Sequence, residues 1–107
     1  MALKPAPAMS QEYGVIHGGL LATLADTAAV YALHPFLAAG ERMTSIEFKV
    51  NFLAAALADR GEVVATSSVV KRGRTIAVAS VDVRQGEQLV ATGLFTYIIL
   101  PAPAASR

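Results

Sequence analysis

The chain has 107 residues, of which 54% are hydrophobic and 16% charged, and its formal net charge is +1. That length suits one domain, residues 1–107, and a near-neutral charge without a basic stripe argues against a dedicated nucleic-acid binder. Cysteine is absent, which removes disulfides, thiolate metal sites and thiol nucleophiles.

In chain order, residues 1–10 (MALKPAPAMS) predict a short extended segment over about Ala2 to Ala8. They lack the long apolar core of a signal peptide, and no apolar run is long enough to span a bilayer. The expectation is a soluble, cytoplasmic protein with no membrane partner. From Leu20 to Leu33 the residues are mostly Ala and Leu, both strong helix formers. His34-Pro35 ends that helix, because proline disfavours a helical conformation in the residue before it. Apolar residues lie all round it, the pattern of a buried helix.

The remainder reads as strands. In TSIEFKVNF, Ile46, Phe48, Val50 and Phe52 alternate strictly with Ser45, Glu47, Lys49 and Asn51, which predicts an antiparallel strand with one face buried. Strict alternation also sends the Ser45 side chain to the face opposite Ile46, away from the main core. Glu62 to Lys71 and Thr75 to Arg84 are rich in β-branched residues, with Arg72-Gly73 between them. Gln85-Gly86 makes a second turn before a long strand from Leu89 to Leu100. Residues 101–107 (PAPAASR) predict a flexible tail. One helix followed by four antiparallel strands requires a sheet curled around that helix. With so few charges to cover its surface, against roughly 25% in ordinary soluble proteins, the chain is expected to bury part of that surface in an oligomer.

Asp26 is the sole charged residue between His17 and Leu33. An unpaired carboxylate in an apolar setting is costly, so Asp26 is exposed, neutralised, paired (with Thr23, for example) or used. A carboxylate so placed could serve as general base or nucleophile. Gly18-Gly19, at the helix start, lets another backbone or a ligand approach, and its amides could face an oxyanion. His17 is expected to orient this turn through a ring hydrogen bond. Asp26 lies eight residues beyond Gly18, roughly 12 Å along the axis at about 1.5 Å per residue. One helix does not easily bring both groups to one carbonyl. Two antiparallel copies could, so a shared site would straddle a dimer interface. Lys71, Arg72 and Arg74, grouped about Gly73, form either a solvated turn or a phosphate contact suited to a small phosphorylated molecule. His17 and His34, without further ligands, do not compose a metal site.

With these features assembled, the chain resembles the hotdog-fold acyl-CoA thioesterases, in their phenylacetate-pathway (PaaI-like) branch. The resemblance rests on GVIHGGLLATLADTA, SIEFKVNFLAAA, GEVVATSSVVKRGRTIAVASVDVR and LVATGLFTYIIL, and runs from Tyr13 to Leu100. It implies an α+β hotdog fold, a curved antiparallel sheet wrapped around one long central helix. It also implies a homodimer with composite sites, often paired into a tetramer. In such a site Asp26 attacks an acyl-CoA thioester or activates water, and the Gly18 amide of the partner subunit meets the oxyanion. Ser45 assists by holding water or the carboxylate. Members commonly carry Asn where this chain has Gln11, whose longer arm offers the same amide. Lys71, Arg72, Gly73 and Arg74 become candidates for the CoA phosphates. CoA belongs to the substrate, and no separate cofactor or metal is implied. The alternative is a non-catalytic hotdog module that binds acyl-CoA or a similar ligand. A hotdog dehydratase fits less well, because it pairs a His with an acid and His17 sits in the glycine turn.

Overall fold

A computed structural model describes residues 1–11 and 14–103. In chain order, β1 (Ala2–Leu3) precedes the helix α1 (Gly18–Leu33), and β2 (Arg42–Phe52), β3 (Val63–Arg72), β4 (Ile76–Gln85) and β5 (Gln88–Leu100) follow. The five strands form one antiparallel sheet in the order β1-β3-β4-β5-β2. Three-residue 3-10 turns occupy Pro7–Met9 and His34–Phe36, the latter where His34-Pro35 ends the helix. The β4–β5 hairpin turns at Gly86, whose φ of 60° glycine adopts without a Cβ clash. No described helix is long and apolar enough to cross a membrane.

The helix packs mainly on β3 and β4. Its buried residues, Leu21, Leu24, Ala25, Ala28, Ala29 and Leu33, meet Val63, Ala65, Ala77, Ala79, Val81 and Val83 from the sheet. Small sheet residues let the helix sit low over these two strands. It does not extend over the whole sheet, however, and its outer side leaves Thr23 and Tyr31 exposed. The expectation of burial on every side therefore holds for one face within a single chain. The radius of gyration is 15.7 Å, against about 13 Å for a compact domain of about 100 residues.

Two sequence expectations, on the N-terminal strand and on β2, change in detail. The N-terminal strand is Ala2–Leu3, shorter than Ala2 to Ala8, because Pro5 and Pro7 have no N–H to give a ladder. In the C-terminal tail, residues 101–103 have no regular structure, and 104–107 lie outside the described residues. Finally, β2 is an edge strand whose apolar row is half uncovered: Ile46, Phe48 and Phe52 are 53%, 51% and 53% exposed. Alternation does give it an apolar face, but in a single chain that face lies beyond the reach of α1.

Candidate active site

The strand β2 carries an irregularity that decides where Ser45 points. Its register against β5 pairs Ser45 with Tyr97 and Glu47 with Thr96, so Ile46 is a bulged extra residue. A β-bulge interrupts the period of two and re-aims the side chains around it. Met43, on the near side of the bulge, packs against the core, and Ser45 shares its face. Beyond the bulge, Phe48 stacks on buried Phe95, with ring centroids 5.4 Å apart, and so lies on that same face. Ser45 therefore belongs to the helix-facing side, contrary to strict alternation. Directly opposed strand residues hold their β-carbons about 4.5–5.5 Å apart, which seats Ser45 beside Tyr97.

Tyr97 is the residue that the sequence reading missed. Its side chain is 2% exposed, and its hydroxyl donates to the Asp26 carboxylate at Oδ1 and, at 3.2 Å, to the Asp26 carbonyl. Burial pushes the hydroxyl well above the usual phenol range, and the bond to Asp26 and its negative charge add to the shift. Thr23, the expected local partner, donates instead to the Gly19 carbonyl at 2.9 Å, and Thr27 donates to Thr23 at 2.8 Å. Asp26 is thus a paired acid, half-buried on α1, held by a strand 71 residues away in sequence. A signal for this did exist: Tyr97 shares strand parity with Phe95, and a buried Tyr hydroxyl normally finds a partner.

The other candidates gather at the N-terminal end of α1. Gln11 and Gly18 line one cavity with Leu21, Phe52 and Ala54–Ala56. A Cβ on Gly18 would come within 3.2 Å of the Phe52 ring, whereas Gly19 has open space beside it. The first amides of a helix have no carbonyl one turn earlier to bond, and among the described residues no side chain caps this end. Among the described residues the exposed His17 makes its hydrogen bonds at this turn through its backbone: its N–H donates to Met9 at 3.0 Å, and its carbonyl accepts from Leu20 and Leu21. Gln85 clamps the loop between β2 and β3, with its buried carboxamide bonding Leu57 N and O at 2.8 and 2.7 Å and Gly61 O at 3.0 Å. A turn residue by sequence is here a clamp.

The basic turn divides in use. Arg72 pairs with Glu41 at 2.6 Å and donates to the carbonyls of Phe36, Gly73 and Arg74. Its guanidinium serves the fold, while Lys71 and Arg74 remain exposed. The structure therefore bonds Tyr97 to Asp26, pairs Tyr97 with Ser45 in the sheet, and brings Gln11 and Gly18 to one cavity, but in one chain it leaves these groups at different levels of the helix.

A curled antiparallel sheet with a single long helix packed against it is the hotdog fold. A profile of the thioesterase superfamily matches residues 13–92, and the chain belongs to that superfamily. It is 33% identical over 89 residues to acyl-coenzyme A thioesterase 13 of Mus musculus, a match spanning 81% of this chain and 62% of that protein. To the medium/long-chain acyl-CoA thioesterase YigI of Escherichia coli it is 30% identical over 115 residues, spanning 92% and 73%. A solved thioesterase family protein from Silicibacter pomeroyi superposes with a TM-score of 0.83 at 32% identity, covering 92% of this chain and 74% of that one. The chain thus spans somewhat less than two thirds of the mouse relative it matches.

Proposed function

We propose that this protein hydrolyses an acyl-CoA thioester to a carboxylic acid and free CoA. The observation that carries the reading is the Asp26 carboxylate, anchored through Oδ1 by a buried Tyr97 at the border of the uncovered aromatic half of the sheet. The relatives named as acyl-CoA thioesterases support the substrate class.

In the reaction a carbonyl–oxygen bond forms, the carbonyl–sulfur bond breaks, and a proton reaches the departing thiolate. The carboxylate acts either by attacking the carbonyl, giving an anhydride that water then cleaves, or by taking the proton of the attacking water. Either route uses Oδ2, the oxygen that Tyr97 does not hold. The tetrahedral oxyanion needs a preorganised donor, and the uncapped Gly18 amide is the candidate. With Gly18 and Asp26 roughly 12 Å apart along one helix, the amide comes from a second copy of the chain. The open edge of β2 and its exposed Ile46, Phe48 and Phe52 support such a homodimer. Pairing of dimers into a tetramer remains part of the proposal.

Gln11 lines the cavity beside Gly18 and would position water or the thioester, while Ser45 supports the carboxylate from β2. Exposed Lys71 and Arg74, at the Gly73 turn, would meet CoA phosphates, with Arg72 holding the turn in shape. The soluble, cytoplasmic setting expected from the sequence suits such a substrate.

The test is thiol release from short, aromatic and long acyl-CoAs by the wild type and by Asp26→Asn. The expected result is turnover by the wild type and a loss of about 10²–10⁴-fold in the variant. Undiminished hydrolysis by the variant would sink the role of Asp26. Binding without turnover by the wild type would favour the non-catalytic module.

A further inference from the structure

Asp26 presents a geometric difficulty that its own helix does not resolve. The terminal torsion of an Asp side chain is broad, so the plane of a half-buried Asp carboxylate can swing through a wide range of angles. A group that must act from one oxygen needs an external restraint. The hydroxyls nearest along the helix, Thr23 and Thr27, donate to backbone carbonyls one turn back. The restraint comes from across the core, in the hydroxyl of Tyr97.

We infer that Tyr97 is a positioning residue for hydrolysis, fixing the Asp26 carboxylate through Oδ1 and so presenting Oδ2 to the substrate. This rests on the thioesterase reading above. Four observations carry it. The Tyr97 ring is 2% exposed and lies in a register row between Ala77 and Ser45, so packing holds it in place. The small Ala77 beside it leaves room for the ring beneath the helix. Its hydroxyl bonds both the carboxylate and the carbonyl of Asp26, which ties the side chain to the helix backbone that carries it. The bulge at Ile46 brings Ser45 to the face where Tyr97 lies.

The chemistry of a phenol suits this task. Held well above its usual range, the hydroxyl stays protonated and remains a donor at any pH where the enzyme would work. Its proton is not transferred: Asp26 acts while Tyr97 keeps the carboxylate aimed. Misplacement of a reacting group by about 1 Å can cost about 10²-fold in rate, which bounds what the restraint can supply.

Tyr97→Phe removes the hydroxyl and keeps the ring. The expected result is a kcat for acyl-CoA hydrolysis roughly 10- to 100-fold lower, KM within about threefold, and a cooperative thermal transition showing a folded protein. A ring-monofluorinated tyrosine at position 97 retains the donor and should restore kcat. A merely structural role would lower the transition temperature and leave kcat unchanged. Independently of turnover, carbon-13 NMR at neutral pH should show the hydroxyl-bearing ring carbon of Tyr97 at a different shift in Asp26→Asn than in the wild type, because both the bond and the charge beside it are altered. An unmoved Tyr97 signal, or a Tyr97→Phe enzyme with the wild-type kcat, overturns the inference. If the wild type hydrolyses no acyl-CoA, the thioesterase reading fails. The NMR comparison then still decides whether Tyr97 and Asp26 are coupled, and an unmoved signal rejects the inference on its own.

Discussion

On β3 and β4 the helix-facing residues are small or β-branched, among them Val63, Ala65, Ala79 and Val81, and all are buried under α1. Across β5 the same face of the same sheet turns aromatic. Phe95 is still covered, but Phe48 stacked on it and Phe52 further along β2 are half exposed. Both halves have the apolar patterning of a core, yet one chain supplies a cover for only one of them. The finished half holds most of the buried core, and at its border with the unfinished half Tyr97 bonds Asp26 and pairs in register with Ser45. A site at the border between them can be completed by a second molecule without unfolding the first.

The contrast is open to direct attack, beginning with the unfinished half. Phe48→Asp places a charge on a surface that water already reaches in one chain, so the fold should survive. If a second copy covers that surface, self-association should weaken by about 2 kcal/mol or more, roughly 30-fold, as for a central aromatic anchor. Sedimentation equilibrium reads this, and thiol release should fall in parallel. An unchanged dimer would mean that the aromatic half is not the interface.

The finished half should respond in the opposite way. Ala79 is fully buried between Val69 and Phe95 in the register, and Ala79→Leu overpacks the contact with the helix. We expect a loss of about 1–3 kcal/mol, seen as a Tm lowered by about 4–8 °C per kcal/mol in a domain of this size. Self-association per folded molecule should be unchanged.

The smallest effect lies at the tie between the halves, where Glu41, just before β2, meets Arg72 at the end of β3. The Ala38 amide bonded to Glu41 and the Arg72 guanidinium beside it hold the Glu41 carboxyl below its usual 4.5. A carboxyl lowered by folding stabilises the protein above its unfolded value, and that contribution is lost as the pH falls through its folded value. Glu41→Gln should therefore lower Tm slightly at neutral pH, with a difference that shrinks as the pH drops below 4.5. A difference that persists in acid would show that charge is not what Glu41 contributes.

Much of this was legible in the residues. Helix formers from Leu20 and the His34-Pro35 stop located α1, which begins two residues earlier at Gly18 because glycine propensity hides a helix start. Strand alternation located β2 to β5 within a few residues. Asp26 stood out because a lone acid among apolar residues is costly, and Gly18 because a doubled glycine permits close approach. What stayed hidden was cross-strand and long-range. The Ile46 bulge leaves no mark in an otherwise alternating segment, so the face of Ser45 was read wrongly. Arg72 looked like its neighbours Lys71 and Arg74, because an ion pair to Glu41, 31 residues away, has no local signature.

By itself the sequence determined the elements, their apolar faces and the presence of one acid that needed a reason, since these follow from local propensity and side-chain periodicity. Tertiary structure alone decided which apolar faces one chain could cover, and that Tyr97, not Thr23, would hold Asp26. The physical reason is register. A shift of one residue in how two strands pair reverses which side chains face the helix, and that shift is set by pairing partners far away in the chain.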